Sequence, residues 1–244
     1  MELSGLSAST RVGMTHAVCC RAACRLQLRH AQSLPIAYRA APRRRDFSEK
    51  RVWSGRFPLD VVAFRNRRFD GAMSAPRTWE LWRRGRASAL VPYDPWTDSV
   101  VMIEQFRLPA LAAGVDPVLV ELPAGLCEDD EDPATAIRRE VREEMRMDAD
   151  LLERIGHFLL TPGGADESCE LYAGRVRAPP AGPDGIAWYA GEVQENEDIR
   201  VRVWPAGTAI EAAFAGRFTN VITSLGLFWL AAKRDWLRQI WMQP

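Results

Sequence analysis

The segment Pro133–Met147, PATAIRREVREEMRM, constrains the fold of this chain more than any other. Ile137, Val141 and Met145 recur at every fourth position, with Ala136 beside them, as in a helix that buries one face on a sheet. Asp132 supplies an N-cap, and Pro133 suits the first helical position. Residues three and four apart share a helical face, so Glu140, Glu143 and Glu144 project together. Three carboxylates in one patch repel one another unless a cation screens them. The segment reads either as a solvated, ion-paired surface helix or as a metal-binding one. A hard ion such as Mg²⁺ takes oxygen ligands and keeps several waters, so the patch suits Mg²⁺ shared with a phosphate substrate. Arg139, four residues before Glu143, can pair with that carboxylate and hold it in place.

Around this helix the pattern is mostly strand. FPLDVVAFRNRRFDG alternates apolar and polar residues and ends in Asp-Gly, a hairpin signal; TWELWRRG alternates likewise. ASALVPYD and SVVMIEQFR read as strands joined by the turn DPWTD. VLVELPAG reads as a short buried strand stopped by Pro123 and Gly125. Strands return in RIGHFLL, CELYAGRV and EDIRVRVWP, with a Pro/Gly-rich loop from Ala178 to Gly185. Thr208 to Ala215 reads as a helix, and so does the C-terminal TNVITSLGLFWLAAKRDWLRQIW, with Trp229 and Trp236 expected in the core. Strands outnumber helices and mix with them, which predicts α+β: a mixed sheet flanked by helices.

The chain has 244 residues, enough for one sizeable domain or a domain with a small appendage. Its formal net charge is zero, so nothing global points to nucleic acid. No apolar run approaches the roughly 20 residues of a membrane helix. Five cysteines without paired spacing argue for a reducing compartment, hence a cytoplasmic protein. The grouping of Cys19, Cys20, Cys24 and His30 matches no standard zinc spacing. Residues 1–50 stand apart. Between Glu2 and Asp46 there is no acid, and there are eight arginines. That composition is shared by organelle transit peptides, by disordered basic arms, and by sequence upstream of a true translation start. Little stable structure is expected before about Arg51.

The order Gly125, five residues, Glu131, seven residues, Arg139-Glu140-Val141, one residue, Glu143-Glu144 resembles the Nudix box, G-x5-E-x7-R-E-U-x-E-E-x-G-U with U apolar. Met147 fills the closing apolar position, and Arg146 stands where the family has its second glycine. FRNRRFDGAMS, RRGRASALVPYDPWTDSVVMIEQFR, ELPAG, TPGGADES and ENEDIRV are similar to the ADP-ribose pyrophosphatase branch of that family, over about Val52 to Trp236. The resemblance implies a Nudix fold, a mixed β-sheet between helices, over residues 86–244. It also implies a small N-terminal β subdomain over 51–85 that serves dimerisation. The implied reaction is metal-dependent cleavage of ADP-ribose to AMP and ribose 5-phosphate, with Mg²⁺ or, in its place, Mn²⁺.

Several roles follow from the resemblance. The backbone carbonyl of Ala124, Glu140, Glu144 and Glu197 are expected as metal ligands. Glu195, in QENED, is expected as the catalytic base, with Glu143 and Arg139 in the catalytic set. Arg107, in EQFR, is expected on the substrate phosphates. Trp79 stands near where the branch has a substrate-contacting arginine, and it or Trp82 suits stacking on adenine or a place in the core. Gly163 and Glu167, in TPGGADES, suit a substrate-facing loop or a plain turn. Glu121 is expected to be structural or to support a residue that touches the metal or substrate, and His157 to stand outside catalysis. Two other readings are open: hydrolysis of another nucleoside diphosphate derivative such as GDP-mannose, and a non-catalytic sensor that binds ADP-ribose. At Arg146 the helix is expected to run on by a residue or two, or to end under slight strain, because positive φ is easy only for glycine.

Overall fold

The computed structural model describes residues 47–191 and 197–243. The basic segment up to residue 46, the cysteine group within it, and Glu195 lie outside the described residues. The main sheet is built around a hairpin, β4 (Arg86–Asp94) and β5 (Ser99–Phe106). Its turn closes with Asp98 in the left-handed region, φ 56°. The two strands pair only next to that turn, at Tyr93 with Val100 and Asp94 with Ser99, and then part. The gap is lined by two short strands. β6 (Val118–Glu121) pairs with β5, and β7 (Ala124–Leu126) pairs with β4. Pro123 and Gly125 thus do not stop the strand for good: the chain resumes pairing with β4 at Ala124.

The full order is β10-β11-β5-β4-β9-β8, where β8 is Leu151–Leu159, β9 Ser168–Arg175, β10 Ile186–Ala190 and β11 Ile199–Pro205. Neighbours are antiparallel except β4 and β9, which run parallel from Arg86/Ser168 to Tyr93/Arg175. β10 was not expected from the sequence, because Gly and Pro dominate the residues before it. A short helix, α1 (Leu108–Ala112), follows β5 and was likewise not read.

Helices cover both faces of the sheet, giving the expected α+β sandwich. On one face lies α2 (Pro133–Met145), whose Ile137, Val141 and Met145 pack with Leu90, Val101, Ile103, Ile199 and Val201. On the other lie α3 (Ala206–Phe214) and α4 (Val221–Trp241), packed on Val91, Met102, Leu171 and Ala173. Asn220 caps α4 with its side-chain oxygen, and the buried Thr223 hydroxyl accepts the Leu122 N–H at 3.1 Å. Trp229 packs against this core as expected, but Trp236 lies 39% exposed beneath Lys233. No helix among the described residues is long and apolar enough to cross a membrane.

A second, three-stranded sheet precedes the first: β1 (Phe47–Trp53), β2 (Leu59–Phe64) and β3 (Arg77–Trp82), in that order. β1 begins ahead of Arg51, earlier than the composition suggested. Asp70-Gly71 does make a tight turn, with Gly71 at φ 85°, but inside the β2–β3 connection rather than at a two-strand hairpin. Asp60 is buried beneath this sheet and accepts from Arg51 Nε at 2.5 Å and Arg83 Nε at 2.8 Å. Arg83 also reaches Glu49 and Asp166, so one guanidinium joins the small sheet to the loop before β9. A backbone seam runs alongside: Trp82 N–H donates to Gly164 at 2.9 Å, and Asp166 N–H donates to Trp82 at 3.2 Å.

Arg51 and then Arg83 hold the Asp60 carboxyl far below the usual carboxylate range. A carboxyl depressed in the folded state contributes stability above its unfolded pKa of about 4, and that contribution fades as pH falls through the folded value. Asp60→Asn is therefore expected to melt below the parent at pH 7, with the gap narrowing as pH drops below about 4. Thermal melts at several pH values check this; a pH-independent gap would contradict it.

Candidate active site

The parting of β4 and β5 sets the stage for α2. Residues 121–125 cross the gap, and Leu90 N–H donates to Pro123 there. The helix starts where the sequence says it should. Asp132 accepts from the N–H groups of Ala134 and Thr135, both at 3.1 Å. It ends at Met145. Arg146 takes φ 54°, ψ 39°, the left-handed cap conformation that glycine would fill, and does not extend the helix. Arg146 N–H donates to Arg142 and Met147 N–H to Val141, which closes the last turn.

Glu144 is buried, and its carboxylate accepts the Ala124 N–H at 3.2 Å. Glu140 lies directly over Gly125. A methyl group at position 125 would sit 1.8 Å from the Glu140 carboxyl carbon. Gly125 therefore serves by leaving room for the Glu140 carboxylate in this position, since its φ is not in the positive region. Arg139 ties the group together. Its Nη1 donates to Glu140 and to Glu143, each at 2.9 Å, and its Nη2 donates to Glu131 and to the Leu126 carbonyl, each at 3.1 Å. Arg139 thus holds Glu131 at the loop end as well as Glu143, which the spacing alone had suggested.

The electrostatics match the geometry. Burial pushes the Glu144 carboxyl well up, and the charges of Glu140 and Glu197 push it further; Arg107 and the Ala124 N–H oppose them. Burial also raises Glu140, against the pull of Arg139, with Glu143 and Glu197 adding to the rise. Glu197 is thus within electrostatic reach of both helix carboxylates. Glu131 is lowered by its bond from Arg139. Desolvated carboxylates that raise one another's pKa are short of positive charge, and an all-oxygen donor set of this kind fits a hard divalent cation. Among the described residues no three acidic, Cys or His side chains form a closed ligand shell, and Arg139 bridges Glu140 and Glu143.

Arg107 stands at the mouth of the site, before α1, with Nε on Glu121 at 2.6 Å; Glu121 also accepts from Asn220 Nδ2. Glu121 is buried and so acts as the anchor of Arg107. Gln105, two residues earlier on β5, is buried with no hydrogen-bond partner for its Nε2 among the described residues. The other expected contacts lie elsewhere in this chain. Trp79 is half exposed on β3, edge-on to Phe64 at 5.3 Å and beneath Arg77 at 4.9 Å. Trp82 packs under Arg84, which is also stacked on Phe57 at 3.8 Å. Gly163 lies in an exposed turn closed on Thr161, with open space around it. Glu167 is paired with Arg84 at 3.0 Å. His157 pairs with Glu170 on the outer strands, away from the carboxylates. Gln105 and the link from Glu121 to Asn220 were not read from the sequence, since a buried amide and a contact between residues far apart leave no local signal.

The NUDIX domain family model matches residues 83–206. The chain belongs to the Nudix family. It is similar to the ADP-ribose pyrophosphatase of Escherichia coli, 36% identical over 191 residues, or 78% of this chain and 88% of that one. A protein of the same name from Haemophilus influenzae is 35% identical over 79% and 88% of the two chains. The GDP-mannose pyrophosphatase of Salmonella arizonae is 32% identical over 62% and 76%. Among solved structures, that of an ADP compounds hydrolase superposes with a TM-score of 0.56 at 18% identity, covering 82% of this chain and 98% of the other. It shows the fold. Nudix hydrolases generally use divalent metal ions, in keeping with the donor set on α2.

Gly125→Ala is expected to drive the Glu140 carboxylate off its seat and lower metal affinity and turnover by about 10- to 100-fold, as loss of a supporting contact does at metal sites. Calorimetric titration with Mn²⁺ and steady-state assays check this; parental affinity would contradict it.

Proposed function

We propose that this Nudix hydrolase cleaves the pyrophosphate of ADP-ribose to AMP and ribose 5-phosphate with Mg²⁺. The observation that carries the chemistry is the desolvated group of Glu140 and Glu144 on α2, within electrostatic reach of Glu197 and backed by Ala124. The two ADP-ribose pyrophosphatases that align over most of both chains support the substrate. Glu140, Glu144, Glu197 and the Ala124 carbonyl would hold the metal, and Mn²⁺ would satisfy the same oxygens. When bound, the metal neutralises pyrophosphate charge and activates water. Arg139 positions Glu140 and Glu143. Arg107, aimed by Glu121, meets the substrate phosphates. Glu195, by its place in QENED, is the base.

We further propose a homodimer built through the N-terminal sheet. β1 is exposed along its whole length, Trp53, Trp79 and Trp82 are each about half exposed, and Trp53, Phe57, Leu59 and Trp82 line an open apolar hollow of about 530 Å³. A second copy would cover these rings and carry Trp79, Gly163 and Glu167 towards a substrate. The cysteine usage supports a cytoplasmic setting.

The similarity to GDP-mannose pyrophosphatases favours one second reading, in which the chemistry is kept and the sugar differs. A sensor without catalysis fits less well, since nothing but a cation explains so repulsive a cluster. A panel of nucleoside diphosphate derivatives with Mg²⁺ should release AMP from ADP-ribose faster than products from GDP-mannose or NADH. The reverse ranking would transfer the function to the second reading. Glu144→Gln is expected to lower turnover by orders of magnitude with the fold intact by circular dichroism. Undiminished activity would remove Glu144 from the metal site.

A further inference from the structure

The end of α2 and the start of the acidic loop are held by a residue that the motif does not contain. Trp188, on β10, donates its indole N–H to the Met145 carbonyl at 3.0 Å. Its ring packs in the cluster of Ile137, Val141 and Met145. The last carbonyls of a helix lack intrahelical donors. Here Arg146 N–H serves Arg142 and Met147 N–H serves Val141, while Trp188 serves Met145 from another strand. The next residue, Arg146, bears a left-handed conformation, which is strained for a residue with a Cβ.

Trp188 also stands at the head of the acidic loop. β10 shifts register between Ile186 and Trp188 and ends at Ala190. Gly191 follows at φ 109°, so close to Glu197 that a methyl group there would lie 2.8 Å from the Glu197 carbonyl oxygen. One short stretch thus grips the helix turn carrying Glu144 with its indole and abuts Glu197 with its backbone. We propose that Trp188 is a positioning residue that sets the separation between the helix carboxylates and Glu197. The proposal rests on the metal-dependent reading above.

Trp188→Phe tests it, since the ring stays and the N–H is lost. Mn²⁺ binding to the protein without substrate is read by calorimetry, alongside kcat and KM for ADP-ribose with Mg²⁺. Trp188→Phe should weaken Mn²⁺ binding and lower kcat by about tenfold each, with KM held within about twofold and circular dichroism unchanged. Arg146→Gly alone should change neither quantity more than about twofold. Parental Mn²⁺ affinity in Trp188→Phe would overturn the proposal while leaving the hydrolase reading intact. Loss of affinity together with loss of the fold would also overturn it, leaving Trp188 as packing alone. A parent that neither binds Mn²⁺ nor cleaves any nucleoside diphosphate derivative would overturn both.

Discussion

Like-charge repulsion within α2 is the constraint around which this protein is arranged. Glu140, Glu143 and Glu144 share a face by helical phase, and Glu144 is driven out of water by the packing of its own helix. Such a group raises the free energy of the folded chain unless it is pinned and counterbalanced. The surroundings do both. Arg139 pairs with two of the carboxylates and with Glu131 beside them, one positive charge shared among three negative ones, the Ala124 N–H points at the third, and Arg107 lies within electrostatic reach. What charge remains unbalanced is the binding capacity of the site.

The scaffold follows from that need. A hairpin whose strands stayed paired would leave no path for residues 121–125 beside the helix. Because β4 and β5 separate beyond the turn, β6 and β7 enter the gap and bring Ala124 and Gly125 against the carboxylates. The opposite face is free of this duty and is packed conventionally by α3 and α4. There Gly226 lets α4 come so near the sheet that an added methyl group would fall 2.6 Å from Leu122. Catalytic face and stabilising face are thereby separated by the sheet.

Much of this was legible in the sequence because it is written in local periodicity. The cap at Asp132, the apolar stripe of α2, its carboxylate face and most of the strands need only neighbours a few residues apart. β7 and β10 escaped notice because Pro and Gly near them read as stops, and only pairing with β4 and β11 makes them strands. Of the expected site residues, Glu140, Glu144, Ala124 and Glu197 come together, and Arg107 stands beside them. Trp79, Gly163 and Glu167 lie on the N-terminal sheet and its seam in this chain, a matter of tertiary docking that no motif encodes. Arg146 was visible as an anomaly, but the bond from Trp188 to the Met145 carbonyl was not, since it spans more than forty residues.

The seam between Trp82 and the Gly164–Asp166 turn has a mechanical meaning. Two backbone hydrogen bonds and the Arg83 fork join the last residue of β3 to the loop that feeds β9. The small sheet is therefore anchored to the larger one through main chain as well as through charge. A load on its exposed strands passes through that loop to β9, which lies inside the main sheet between β4 and β8.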